Sequence, residues 1–366
     1  MKDTIAFART FSSRGRAGVA GSEDLVRVGS REPCPKCGRA KKCFVTRDGA
    51  EVWCTKVSEG AALSRPNQLG DLFIHRLQGQ EREHAAALAQ RAAPPAGAAE
   101  RSAPDDLDRV YRSLLGRLAL EARDGAALEA RGLPAALVAR GLYGSMPERG
   151  RAALARAVID DQGLERARRV PGIVYRTDPA DPARGWWSLA GPVGIVVPVL
   201  DLEGRVVALK VRRRDPCEGP RYVYLSSASA GGPAALAAVH VPAAARDLRA
   251  SGRPLVITEG ELKADVATAL SGRPVVSLPG VANWRRGVEL AHAWGARVVV
   301  VAFDADARTN PDVARHQRDL LRALAADGFD ARLWQWPPEA GKGLDDFLLA
   351  RRDARPAPTG TRNDAR

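Results

Sequence analysis

The sequence predicts an α/β protein in several parts: a parallel α/β domain preceded by a β-rich basic subdomain, a helical segment and a small N-terminal zinc ribbon. Three observations carry that expectation. Strand-like and helix-like stretches alternate between residues 253 and 350. Four of the five cysteines crowd together near the N-terminus. The 366 residues, at roughly 150 per domain, allow two or three domains with real cores.

Composition narrows the class further. Charged residues make up 27% and hydrophobic ones 45%, as in soluble globular chains. No apolar run approaches the roughly 18 to 20 residues of a membrane span, so no membrane partner is expected. The first residues, MKDTIAFARTFSSRGRAGVAGSEDL, are basic but carry no apolar stretch of about 7 to 15 residues, so they are not a secretory signal and a cytoplasmic protein is expected. The formal charge is +13. Residues 1–60 and 165–252 hold +5 each, whereas 253–350 are near neutral at −1. Basic surfaces of this kind neutralise phosphates, although an Arg- and Ala-rich surface can also simply be solvated.

Taken in order, residues 1–25 read as a flexible N-terminus and 26–60 as the ribbon. There Cys34, Cys37, Cys43 and Cys54 follow a C-x2-C-x5-C-x10-C spacing. Thiolates at that spacing suit a tetrahedral Zn²⁺, with Pro35 and Gly38 turning the first pair around the metal and a hairpin at Asp48-Gly49 delivering the last ligand. Four protein ligands leave no open position, so this zinc is structural. Lys36, Arg39, Lys41, Lys42 and Arg47 surround it and suggest contact with nucleic acid. His75 and His84 read as ordinary residues and Cys217 as structural.

Residues 61–104 read as helix and linker, with LGDLFIHRL and EREHAAALAQRAA both helical and AAPPAGAAERSAPDD flexible. A helical segment at 105–164 follows, with Leu107, Val110, Leu114, Leu118 and Leu120 near one stripe and short helices broken at Gly132 and Pro134. Residues 165–252 form the β-rich basic subdomain: GIVVPVLDLEGRVVALKVRRR reads as strand, turn at Glu203-Gly204 and strand, and RYVYL as another. Trp186, Trp187 and Tyr222 suit either base stacking or a core. In 253–350, PLVIT, RPVVSL, ARVVVVAF and DARLWQW read as strands, with helices after Glu259, Asn283, Asn310 and Gly343. Asn310 before Pro311 suits an N-cap followed by proline at the first helical position. Residues 351–366 read as a disordered tail.

The acidic residues fall where a parallel sheet gathers them. Glu259 follows one strand, Asp304 and Asp306 another, and Asp345 and Asp346 sit in GKGLDDFLL. The carboxyl ends of parallel strands share one rim, and such a rim could hold Mg²⁺ or Mn²⁺ through carboxylates, water and phosphate oxygens. GKG at 341–343 is not a phosphate-binding P-loop, because its glycine spacing and the following Ser or Thr are absent.

TEGELKAD, FDADA and KGLDDFL resemble the three acidic motifs of the Toprim domain, found in bacterial primases, topoisomerases, certain nucleases and recombination mediators. The resemblance spans residues 253–350 and implies a Rossmann-like sheet that binds a divalent metal. It implies Glu259 as an acid/base or metal-binding glutamate, Asp304 and Asp306 as metal ligands, and Asp345 or Asp346 as the third acidic site, with Glu259, Asp304 and Asp306 catalytic. One residue departs: replicative primases usually carry an aspartate where this chain has Lys263, and Asp265 comes two positions later. EARGLPAALVARGLYG and the basic strands resemble primase segments too, and the order of the parts is that of bacterial, plasmid and phage primases.

The resemblance therefore implies a DNA primase-like nucleotidyltransferase acting on single-stranded DNA with ribonucleoside triphosphates. Lys210, Arg212, Arg213 and Arg221, together with Lys263 and Lys342, would hold nucleic acid or nucleotide, or KVRRR is a solvated strand end. A helicase, if one takes part, is expected on a separate chain. Two other readings share these motifs: a Toprim nuclease, and a non-enzymatic recombination mediator that binds DNA.

Overall fold

The computed structural model describes residues 25–28, 33–39, 43–46, 48–67, 70–92, 100–178, 181, 184–215 and 220–354. Lys41, Lys42, Arg47, Cys217, residues 1–24, the linker stretch 93–99 and the tail residues 355–366 lie outside the described residues. So do the side chains of residues 26–27, 65–67, 70 and 88–92 and of Asp306. The chain forms two compact units, residues 1–96 and 97–366.

In the first unit, β1 (Leu25–Arg27), β2 (Phe44–Thr46), β3 (Glu51–Cys54), β4 (Leu63–Asn67) and β5 (Gly70–Arg76) build one antiparallel sheet in the order β1-β2-β3-β5-β4, followed by helix α1 (Gly79–Ala92). The expected hairpin is present between β2 and β3. Gly49 turns it in a left-handed conformation (φ +70°), and the Ala50 N–H donates to the Asp48 carboxylate at 3.0 Å. The helical expectation for LGDLFIHRL is corrected: Gly70–Arg76 of it are strand, and helix begins only at Gly79. Leu72 and Ile74, two apart, are buried on one face against Trp53, and pairing with β3 satisfies the β5 backbone, so period two prevails over period 3.6.

The second unit opens with α2 (Pro104–Leu115), α3 (Ala122–Ala130), α4 (Ala135–Arg140), β6 (Gly144–Met146), α5 (Arg151–Gln162) and α6 (Leu164–Ala167). Leu107, Val110 and Leu114 form the buried stripe of α2, as their spacing predicts, but the helix ends at Leu115, so Leu118 and Leu120 of the expected stripe lie beyond it. Next come the hairpin β7 (Ile173–Thr177) and β8 (Gly185–Leu189), then β9 (Gly194–Leu200), β10 (Val206–Arg213) and β11 (Tyr222–Tyr224). An antiparallel sheet runs β11-β10-β9-β6, packed on α2 through Leu107, Val110, Leu200 and Leu209. Trp187 packs against that core, whereas Trp186 and Tyr175 are exposed.

After α7 (Ala243–Asp247), a fully parallel sheet alternates with helices: β12 (Leu255–Glu259), α8 (Glu261–Ser271), β13 (Val275–Leu278), α9 (Trp284–Trp294), β14 (Val298–Val301), α10 (Pro311–Ala326), β15 (Asp330–Leu333) and α11 (Leu344–Asp353). Strand order is β13-β12-β14-β15. Near-continuous Val, Ile and Leu suit strands covered on both faces. Residues of α9 and α10 pack with Ile257, Val276 and Val301 on one face; α8 and α11 pack with Val256, Val275 and Ala302 on the other. Leu262 and Val266 of α8 also meet Ile195 and Val197 of β9, together with Leu128 and Leu133, which ties the helical segment and the β-rich subdomain to the parallel sheet. Among the described residues no helix is long and apolar enough to cross a membrane.

Candidate metal and nucleic-acid site

The chain visits β12, then β13 on one side, then returns to β14 on the other side of β12. Connections leave β12 and β14 in opposite directions, so a crevice opens at their carboxyl ends, where open α/β sheets place ligands. Glu259 ends β12, and Asp304 follows β14. Gly260 makes the bend into α8 with φ +87°, a conformation glycine adopts without strain, and so both Glu259 and Glu261 face the crevice. The Ala305 N–H donates to the Lys342 carbonyl at 2.9 Å, which draws the turn before α11 to the loop after β14.

These elements enclose a cavity of about 400 Å³. Among the described residues, five carboxylates line it, Glu259, Glu261, Asp304, Asp345 and Asp346, and so do five cationic groups, Arg131, Lys210, Arg221, Lys263 and Lys342. Acid and base pair across it. Lys210 donates to both Glu261 oxygens at 2.6 and 2.7 Å, and Lys263 pairs with Asp304 and Arg131 with Asp345. Asp345 is only 2% exposed, and its second oxygen, Oδ1, is buried without a hydrogen-bond partner. A buried acceptor left unmet is costly. Asp346 accepts the Gly343 N–H at 3.1 Å and so also caps α11.

Strand alternation sets the basic face. Lys210 and Arg212 are two apart on β10 and pair with Tyr224 and Tyr222 of β11. The Lys210 ammonium lies 4.4 Å from the Tyr224 ring centre. Burial, with the Glu261 carboxylate beside it, pushes the Tyr224 hydroxyl well above its ordinary range, so it stays protonated. Burial opposes the charge of Arg131, but the Asp345 carboxylate prevails and raises its pKa. Arg212 is shifted the other way, by burial first and then by the guanidinium groups of Arg221 and Arg131, with the Tyr222 hydroxyl opposing. Three guanidinium groups crowded around one tyrosine form an anion-attracting corner.

Of the residues singled out in the sequence, the cavity brings together Glu259, Asp304, Asp345, Asp346, Lys210, Arg221, Lys263 and Lys342. Arg212 lies beside this group, and Arg213, next on the strand, is not among the lining residues. The backbone of Asp306 lies in the short 3-10 turn Ala305–Arg308. Asp265 points elsewhere: it accepts from the Tyr143 hydroxyl at 2.7 Å and lies 3.3 Å from His240 Nε2, so it is no second acid of this site. Sequence reasoning missed Glu261 and Arg131. Glu261 carried a signal, two residues after Glu259 at a helix start; Arg131 carried none until folding placed it against Asp345.

In the first unit the four thiols of Cys34, Cys37, Cys43 and Cys54 lie within 4.8 Å of one another and could hold a metal ion. Cys54 accepts the Lys56 and Val57 N–H groups at 3.3 Å each, and Cys43 accepts that of Thr55 at 3.5 Å. The hydrogen bond from Cys34, aided by Thr55 and opposed by burial, brings the Cys43 pKa down to about 5, which favours the thiolate, the form that binds metal.

A family model described as a domain of unknown function, DUF3854, matches residues 248–354, the parallel-sheet region. No curated protein matches the sequence. Among solved structures, the zinc-binding and RNA polymerase domains of Aquifex aeolicus primase superpose with a TM-score of 0.51 at 15% identity, over 95% of this chain and 79% of that one. The fold is similar to that of primases. The RNA polymerase domain of Mycobacterium tuberculosis primase DnaG gives 0.50 at 16% identity, over 69% and 82% of the two chains. The same domain in complex with double-stranded DNA gives 0.51 at 17%, over 69% and 80%. The primase-like fold therefore extends beyond the parallel sheet to the ribbon and the basic strands, since the first of these matches covers nearly the whole chain.

Proposed function

We propose that this chain is a DNA primase-like nucleotidyltransferase that makes short RNA primers on single-stranded DNA from ribonucleoside triphosphates. The observation that carries the reading is one cavity in which Glu259, Asp304, Asp345 and Asp346 face Arg131, Lys210, Arg221, Lys263 and Lys342. Acid alone would repel a triphosphate, and base alone would hold no metal. The donor set fits Mg²⁺ or Mn²⁺: it is all carboxylate oxygen, and the Oδ1 of Asp345 is a hard donor with no hydrogen-bond partner in the protein. A divalent ion bound there would stabilise charge on the attacking and leaving oxygens of phosphoryl transfer.

The chain's own residues supply the rest. Glu259, at the end of β12, is assigned to hold the ion or to take the proton of the attacking 3′-hydroxyl. Asp304 and Asp306 are assigned with it as the acids after β14. Glu261 is committed to Lys210 and Tyr224, and so fixes the basic strand against the acidic rim rather than binding metal. Arg131, Arg212 and Arg221 would bind template or triphosphate oxygens, with Lys342 and Arg213 as further basic contacts. In the first unit the four thiolates would hold a structural Zn²⁺.

Primer synthesis tests the reading. The full chain, single-stranded DNA, all four ribonucleotides and a Mg²⁺ or Mn²⁺ titration should yield labelled oligoribonucleotides. Shortening of the template without synthesis would overturn it in favour of a nuclease, and DNA binding with neither product in favour of a mediator.

A further inference from the structure

Lys263 lies in the first turn of α8, four residues after Glu259, and reaches across the cavity to Asp304. Both side chains are largely enclosed, retaining 14% and 10% of their exposure. The lysine stem is also confined: a Cβ added at Gly343 would come within 3.0 Å of its Cε, so it runs against the backbone of the turn before α11. The carboxylate of β14 thus has a tethered monovalent cation. The carboxylate of α11 differs, for Asp345 shares one oxygen with Arg131 and keeps the other buried without a partner.

This asymmetry decides where a divalent ion goes. An ammonium and a metal ion compete for one carboxylate, and an ammonium offers three donors but no coordination position for an incoming oxygen. We propose that Lys263 is a resident counter-ion that keeps Asp304 out of metal coordination in the resting protein and confines the ion to the Glu259, Asp345 and Asp346 side of the cavity. The site then holds one divalent ion where a free Asp304 would admit a second. The inference rests on the metal reading of the cavity given above and goes beyond it by assigning which carboxylate is withheld, and by what.

Mn²⁺ binding to the full chain, followed by the electron paramagnetic resonance of free Mn²⁺, tests it without reference to activity. Lys263→Gln should bind one Mn²⁺ more than the unaltered chain, or bind it with a midpoint at least tenfold lower. Lys263→Gln with Asp304→Asn removes the pair at constant net charge and should return the number and midpoint of the unaltered chain. An unchanged isotherm for the single variant overturns the proposal. So does a tenfold weaker midpoint for the double variant, which would make Asp304 a ligand at rest and serves even if the single variant fails to fold. Absence of cavity-bound Mn²⁺ in the unaltered chain overturns the metal reading itself, and this inference with it.

Discussion

Asp345 shows how much one side chain concentrates at this site. It shares a buried ion pair with Arg131, lines the cavity and keeps its other oxygen without a hydrogen-bond partner, so a single substitution reads two properties. Asp345→Asn should raise the Mn²⁺ midpoint at least tenfold. It should also cost roughly 3 kcal/mol in urea unfolding, the low end for stranding a buried charge, because Arg131 keeps part of its side chain in solvent. An unchanged midpoint would remove Asp345 from the donor set. Arg221 tests the opposite wall. If it contacts a phosphate, Arg221→Ala should weaken single-stranded DNA binding evenly across sequences and lower the salt slope by about one, as read by fluorescence anisotropy at several salt concentrations. The acids Glu259, Asp304, Asp345 and Asp346 were legible in the chain because each sits just past a strand or at a helix start. Their partners were not: Lys263 with Asp304 and Arg131 with Asp345 are separated by 41 and 214 positions, and no local pattern links them.

At the scale of elements, the local rules held where local chemistry decides. Asn310 accepts from the Asp312 and Val313 N–H groups at 3.1 and 3.5 Å, with Pro311 at the first helical position, as the dipeptide predicts. Asn310→Ala should therefore cost about 1 kcal/mol by urea unfolding, with no change in the helix bounds. A loss within error would show that water serves those two donors equally well. The strands and helices of the parallel sheet were readable for a related reason: long Val, Ile and Leu runs bounded by Gly, Asn and Pro leave few alternatives. LGDLFIHRL was not, since its apolar residues fit a helix as readily as a strand over so few positions. The unpaired edge of β3 chose the strand, and that edge is a product of the ribbon rather than of the segment.

Across the whole molecule, two units with separate cores imply two separable responses. Two small clusters form the core of the first unit, Val28, Val45, Val52, Leu77 and Ala85 with the buried cysteines in one and Trp53, Leu72 and Ile74 in the other, little apolar surface to hold a fold without help. Withdrawal of metal by a strong chelator should abolish a low-temperature calorimetric transition and leave that of residues 97–366 within about 2 °C of its original position. A shift of both transitions would show that the cysteine cluster supports the larger unit as well. The chain alone determined the kinds of chemistry present: a thiolate set, a run of basic strands and a set of acids at strand ends, each specified by neighbours a few residues away. Tertiary structure decided which of those charges meet. Coulombic pairing depends on distance in space, and the return of the chain from β13 across to β14 is what sets Lys263 on Asp304.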